Sequence, residues 1–464
     1  MVVMKFGGSC LANGEQFMNA AELVKNYPDK DAIVVVSAVY KITDKLLDTG
    51  WLALERKTKE VEKNLNEIHD KHQEIINYIA VEPIEKENLT KENDNHLEEL
   101  RQIYKGIFLI NELSKRSLDV VSSFGERLSV ILFSAALRNL GLNSFPVDAR
   151  IFVTTDDTFG SAIVDLETSK KKFKKKVLPR INGSIPVITG FIGSTEDGIT
   201  TTIGRNGTDY TASIVGYSIK CDEILIWKDV DGVMTANPKI YSGAKVVPLI
   251  SYQEASEISY FGGEIIHPKT MQPAVLADIP IRIKNTFNPS YPGTLISSNY
   301  DDNYSSLITC SIDDLTLITI EGAGLQAAPN SIVKVLAAVT KVDVNIYMIS
   351  MASSEYNISF LVKSKDADKA LLSLQQELEV MRLVERSISK IVVDNNVAII
   401  ACVGARLKGR IGIAGKIFST LGKNGVNIIA IAQGSSEYNI SIVIDSKNTR
   451  KAVACIHEEL DGKI

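Results

Sequence analysis

Four short clusters in this chain of 464 residues carry side chains suited to holding phosphate and carboxylate groups. The first is Lys5-Phe6-Gly7-Gly8-Ser9. Adjacent glycines let the backbone approach an anion with no Cβ in the way, and Lys5 adds a mobile positive charge. The same spacing also suits a plain tight turn. The second cluster, Gly204-Arg205-Asn206-Gly207-Thr208-Asp209, opens a helical pattern over residues 210–218. Asp209 and Thr208 there either cap the helix or, with Arg205, present a cation and a carboxylate to a ligand. The third, Asp229-Val230-Asp231-Gly232-Val233, follows an apolar run ending at Trp227. A carboxylate at the end of a parallel strand is where α/β folds place ligand chemistry, although Asp231-Gly232 is also an ordinary turn pair. The fourth, Ser123-Phe124-Gly125-Glu126-Arg127, starts an apolar helix. Glu126 suits either the helix dipole or an ammonium ligand.

These clusters need a scaffold, and the apolar periodicity supplies one. Residues 2–6 and 32–37 read as buried strands, with a helical pattern over 15–26 between them. Strand, glycine turn, helix, strand is the opening of a parallel α/β sheet. Residues 185–192 and 223–227 repeat the buried-strand signature. The charged stretch 52–113 reads as a helical excursion interrupted by Pro83.

The C-terminal third contains an internal repeat. Ser353-Ser354-Glu355-Tyr356-Asn357-Ile358-Ser359 recurs 82 residues later as Ser435-Ser436-Glu437-Tyr438-Asn439-Ile440-Ser441 (353 to 435). Asn345-Ile346 and Asn427-Ile428 share that offset, so two copies of one supersecondary unit are expected. Each copy reads as most of a split βαββαβ unit. The second copy lacks room for a final strand, so strands are expected to be shared between copies, with residues 306–311 as the loan.

Composition narrows the function classes. The chain is 45% hydrophobic and 23% charged, ordinary for a globular protein of two to four domains. A net charge of −5 argues against nucleic acid as a partner, and the lysine-rich run 170–176 reads as a solvated helix face. No apolar run approaches the roughly 20 residues that span a bilayer, so no membrane is expected. The five cysteines have no metal-like spacing and point to a reduced, cytoplasmic chain, with Cys10 beside the first glycine motif as a candidate for modification. Glu321-Gly322-Ala323-Gly324 resembles a dinucleotide fingerprint, but its second copy puts Arg406 at the second glycine position, which argues against a dehydrogenase.

Taken in order, the pieces resemble the aspartate kinase family within the amino-acid kinase fold. The anchors are KFGGS at 5–9, VVVSA at 34–38, SFGERLS at 123–129, FGSA at 159–162 and TGFIG at 189–193. They continue with GRNGTDYTA at 204–212, DVDGV at 229–233, His267-Pro268, KNTF at 284–287 and PGTLI at 292–296. The repeat resembles the tandem ACT pair of such enzymes. The resemblance implies a three-layer αβα kinase domain with a mostly parallel central sheet over 1–300, then two ferredoxin-like ACT units at 306–393 and 394–464.

It further implies ATP- and Mg²⁺-dependent phosphorylation of the L-aspartate side chain to 4-phospho-L-aspartate, the first step of lysine, threonine and methionine biosynthesis. Lys5 and Asp209 would be its catalytic residues. Lys5, Gly7, Gly8, Ser9, Lys228, Asp229, Val233, Met234 and Lys239 would form the ATP site, and Ser37, Thr43, Glu126, Arg205 and Asp209 would hold aspartate. An amino-acid effector, lysine or threonine, would bind at Asn330, Ser331, Asn345, Ile346, Asn427, Ile428 and Gln433 in a homodimer or higher homo-oligomer. The sequence departs from the family at Lys228, Met234 and Lys239, at Glu264 where lysine is usual, and at Ile163 where arginine is common. These departures sustain an alternative, a catalytically weak regulatory paralogue that binds an amino acid.

Overall fold

The computed structural model describes residues 1–27, 31–261, 266–298, 307–321, 331–351, 357–385 and 390–460. The chain forms two compact units. The first comprises Met1–Val233, Val246–Ala255 and Ile265–Tyr300, and the second Met234–Lys245, Ser256–Glu264 and Asp301–Ile464.

In the first unit the strands are β1 (Val2–Phe6), β2 (Ala32–Val36), β3 (Ser144–Val147), β4 (Thr154–Thr155), β5 (Val164–Asp165) and β6 (Ile185–Thr189). There follow β7 (Ile192–Ser194), β8 (Thr200–Thr202), β9 (Glu223–Lys228), β10 (Leu249–Ser251), β11 (Ile281–Asn285) and β12 (Thr294–Ser297). Eight of them form one sheet in the order β10-β12-β11-β9-β1-β2-β6-β3. Pairing is parallel from β11 through β3, and β12 meets β11 antiparallel. This is the mostly parallel sheet expected. The order turns at β1: β2, β6 and β3 lie to one side, β9 and β11 to the other. Such a reversal leaves a crevice beyond the carboxyl ends of the strands, because the two connections leave in opposite directions.

The helices that lie wholly within the first unit are α1 (Gly14–Lys25), α2 (Ile42–Leu54), α3 (Thr58–Ile79), α4 (Pro83–Ile110), α5 (Lys115–Asn139), α6 (Leu166–Lys176), α7 (Gly207–Ile219) and α8 (Pro268–Ala277). Local sequence sets their starts. The Asn13 side chain accepts from the Gln16 amide at the head of α1, Ser114 accepts from Ser117 at α5, and Pro83 begins α4. Alternation along β1 gives the sheet its two different faces. Phe6 points into a core with Phe17 and Phe133, stacking on Trp227 at 6.0 Å, whereas its neighbour Lys5 points to α7. Helix α5 is long and apolar enough to cross a bilayer, but 89% of that stretch is buried inside this unit. Serines and Arg138 interrupt the run, so a reading of uninterrupted apolar stretches passes over it.

The second unit holds β13 (Ile308–Glu321), β14 (Met348–Met351), β15 (Asn357–Lys363), β16 (Lys390–Val403), β17 (Ala430–Gln433) and β18 (Asn439–Asp445) in one antiparallel sheet. The order is β14-β15-β13-β16-β18-β17. Its helices are α9 (Ser331–Thr340), α10 (Ser364–Glu385), α11 (Ile413–Lys423) and α12 (Thr449–Leu460). The first half of β13 pairs with the second half of β16, and the converse holds, so each long strand closes the other repeat.

Candidate active site

The first glycine turn stands at the end of β1, where the strand order reverses. Lys5 Nζ lies 2.6 Å from Asp209 Oδ1, and both side chains are buried. Asp209 Oδ1 has no hydrogen bond of favourable geometry, so the contact is an ion pair held by proximity. Asp209 sits in the first turn of α7, where the helix dipole favours a carboxylate. A Cβ on Gly7 would lie 3.3 Å from Lys5 Nζ, and one on Gly8 would lie 3.1 Å from the Ala38 carbonyl oxygen. Glycine at 7 therefore leaves room for the ammonium to lie over the turn. Residues 8–10 form a 3-10 turn, and among the described residues nothing accepts from the amides of Gly8 and Ser9. Two free amides beside a buried lysine are the kind of arrangement that can receive an anion.

A second cluster lies behind the end of β2. Glu126, on α5, is buried, and its Oε1 accepts from the Ala38 amide at 3.2 Å. Its Oε2 has no partner among the described residues. Burial, only partly offset by backbone hydrogen bonds, pushes this carboxyl up to about 8. Gly125 makes the approach possible: a Cβ there would stand 2.7 Å from Ala38 Cβ and 3.4 Å from Thr43 Oγ1. Ser37 belongs to the same cluster, since its Oγ lies 4.0 Å from where a Gly8 Cβ would be. The chain thus brings Gly8, Ser37, Ala38, Thr43 and Glu126 together. Arg205 is exposed in the turn leading to α7, between Gly204 (φ +84°) and Asn206 (φ +58°). Together with burial and Lys269, its charge lowers the His267 pKa.

Residues 1–285 match the amino acid kinase family, and residues 318–378 and 400–460 each match an ACT domain. Aspartokinase 2 of Arabidopsis thaliana, chloroplastic, is 34% identical over 98% of this chain and 83% of that protein. The chain belongs to the aspartokinase family. It is also 33% identical to the Arabidopsis bifunctional aspartokinase/homoserine dehydrogenase 2, and covers 50% of that relative. It therefore spans about half the length of the bifunctional relatives it matches. Escherichia coli aspartokinase III, solved with aspartate and ADP in its R-state, superposes with a TM-score of 0.83 at 26% identity over 99% of both chains. The same enzyme with lysine and aspartate, in its T-state, gives 0.82.

Other residues that aspartokinase resemblance nominates are placed less uniformly. Lys228 is half-buried and Asp229 exposed at the end of β9, and the buried Val233 donates its amide to Thr294 Oγ1 at 2.8 Å. The intervening Asp231 accepts from Asn285 and Asn288 at 2.8 and 3.1 Å, which makes it a turn anchor rather than a ligand group. Met234 and Lys239 belong to the second unit, in a segment anchored by Thr235 against His457 (2.7 Å). There Asn345, Asn427 and Gln433 are exposed, Ile346 and Ile428 half-buried, and Ser331 opens α9. Glu264 and Asn330 lie outside the described residues, as does the glycine-rich run from 322.

Two findings revise the reading of single residues. Asp209 stands in an ion pair with Lys5, whereas Glu126 Oε2 has no partner among the described residues. Cys10 is buried, takes a hydrogen bond from Thr286 Oγ1 at 3.0 Å, and has its pKa raised chiefly by burial, the opposite of a reactive thiol. Sequence reasoning missed Asp119, a buried carboxylate on α5 that accepts three hydrogen bonds. The available signal was its position seven residues before Glu126, on the same helix face.

Proposed function

We propose that this chain transfers the γ-phosphoryl group of ATP to the side-chain carboxylate of L-aspartate, yielding 4-phospho-L-aspartate and ADP. One observation carries the reading: the turn after β1 sets Lys5 beside the free amides of Gly8 and Ser9, and the turn after the neighbouring parallel β2 meets the buried Glu126 carboxyl of α5, which has no cation beside it among the described residues. A substrate joining them must offer negative charge to the first and an ammonium to the second. Adjacent strands lie about 4.8 Å apart, so a four-carbon amino acid and a triphosphate terminus can meet there.

In this reading Glu126 receives the α-ammonium and Arg205 the α-carboxylate, with Ser37 and Thr43 as hydroxyl partners. That leaves the side-chain carboxylate aimed at the phosphate turn. A carboxylate oxygen attacks Pγ, the bond from Pγ to the bridging oxygen breaks, and ADP departs with that electron pair. The nucleophile is already anionic, so no general base is needed. The rate comes from positioning and from charge neutralisation by Lys5, which Asp209 holds in place.

Mg²⁺ would ride on nucleotide oxygens and offset their charge, for among the described residues no three His, Cys, Asp or Glu side chains converge on a metal site. The repeats would bind a feedback amino acid, with lysine favoured by the E. coli T-state structure. A homodimer would form through the second unit, whose edge strands β14 and β17 expose Ile349, Met351 and Ile431. The five free cysteines fit a reducing compartment such as the cytoplasm.

The test is trapping of the acyl phosphate as a hydroxamate, with MgATP, hydroxylamine and either L-aspartate, L-glutamate or no acceptor. Aspartate-dependent product that is lost in Lys5→Ala supports the kinase. No product from folded protein at saturating ATP overturns it and favours the regulatory paralogue.

A further inference from the structure

Helix α5 carries a second buried carboxylate that the reaction itself does not use. Asp119 is 2% exposed and has no cation beside it among the described residues. Its charge is met by three donors. Oδ2 accepts from the Gly160 amide at 3.0 Å and the Thr202 amide at 2.9 Å, and Oδ1 accepts from Thr202 Oγ1 at 2.7 Å. Burial raises its pKa while these bonds oppose that shift. A buried carboxylate is costly to keep unless donors are preorganised around it.

The donors lead to the acceptor site. Thr202 ends β8 and stands three residues before Arg205, with only Ile203 and Gly204 between them. Gly160 lies in the 156–163 loop. That loop packs on the same turn, since a Cβ on Gly204 would come within 3.4 Å of Ser161 Cα, and Ala162 donates to the Thr202 carbonyl at 2.9 Å. On the other side, Asp119 and Glu126 lie seven residues apart on one face of α5. One carboxylate therefore ties the helix that presents Glu126 to the turn that presents Arg205.

We propose that Asp119 is a positioning residue for the acceptor amino acid, fixing the separation between the group that receives its ammonium and the group that receives its α-carboxylate. The proposal rests on the assignment of Glu126 and Arg205 above. Asp119 touches neither substrate. It acts on the exposed Arg205 by fixing where β8, which packs on α5, releases the chain into that turn, while Lys5 and Asp209 pair beside the phosphate turn.

The geometry predicts an uneven response to substitution. In Asp119→Asn the amide oxygen can take both backbone N–H groups while its NH₂ donates to Thr202 Oγ, a hydroxyl able to accept. In Asp119→Ala all three donors lose their acceptor. Hydroxamate kinetics on the full chain should show KM for L-aspartate rising at least tenfold in Asp119→Ala and less than threefold in Asp119→Asn, with KM for ATP within twofold of wild type in both. Amide hydrogen exchange of the ligand-free protein should show faster exchange at Gly160 and Thr202 in the alanine variant alone. An unchanged KM for aspartate in folded Asp119→Ala overturns the proposal, as do equal shifts in both KM values. If the wild type makes no aspartate-dependent product, the kinase assignment fails instead. The exchange data then report on the tether alone, and unaltered exchange in Asp119→Ala overturns it as well.

Discussion

The ionisation of Glu126 should govern how acceptor binding depends on pH. Burial raises its folded pKa from an ordinary 4.5 to about 8, so in the ligand-free protein at pH 7 roughly one molecule in ten carries the charge. Only the ionised form attracts an ammonium. Binding at pH 7 must therefore include loss of a proton, at about 1.4 kcal/mol per pH unit below the pKa. KM for L-aspartate should fall about tenfold between pH 6 and pH 7, fall further to pH 8, and level above that. The substrate's carboxylates and amine do not titrate in this window, and saturating nucleotide removes the γ-phosphate from the comparison. Calorimetry of aspartate binding at pH 7, in two buffers of different ionisation enthalpy, should register release of about 0.9 proton per site. Glu126→Gln should bind aspartate weakly and without this pH dependence. A flat wild-type profile between pH 6 and 8, or the same slope in Glu126→Gln, would refute the assignment.

The sign of the linkage gives a companion expectation. Because the folded pKa is raised, the contribution of Glu126 to stability is fully present below about 4.5 and is lost as pH rises through about 8. Glu126→Gln should thus unfold at a higher temperature than wild type at pH 8, with the difference gone near pH 4, as scanning calorimetry would show. Gly125→Ala would place a Cβ 2.7 Å from Ala38 Cβ, so we expect a loss of about 1–3 kcal/mol in denaturant melts and a weaker KM for aspartate; unaltered stability would mean the β2–α2 turn yields freely. Lys5→Ala should lower kcat by about 100-fold or more while circular dichroism stays native, and near-normal turnover would remove Lys5 from the reacting centre. Cys10 should resist iodoacetamide at pH 7.5 in native protein and react on unfolding, and rapid native labelling at that residue by mass spectrometry would contradict its burial.

Much of this molecule is legible along the chain because the relevant physics is local or periodic. The alternation of apolar runs and glycine turns specifies a parallel α/β sheet, and an 82-residue offset, exact from Asn345 to Asn427, specifies a doubled module. The chemistry-bearing clusters are likewise visible as types: a lysine before two glycines, an arginine four residues before a helix-start carboxylate, and a glutamate after glycine in an apolar helix.

Which of those groups meet was decided only by tertiary structure. Lys5 and Asp209 are 204 positions apart, and nothing local marks them as an ion pair; β1 and α7 must first pack for the two charges to share one desolvated space. Glu126 and Ala38 are brought together by the bare backbone at Gly125, a steric fact that depends on the approach of α5 to the β2–α2 turn. Asp119 gains its role only because its donors come from two distant segments. Cys10 stood beside a motif and was judged by that company, whereas burial and hydrogen bonding made it inert, and Asp231 anchors the turn that Asp231-Gly232 suggested. Residue type and spacing are written in the sequence. Desolvation is not, because it depends on every atom packed around a group, and it raised the pKa of Glu126.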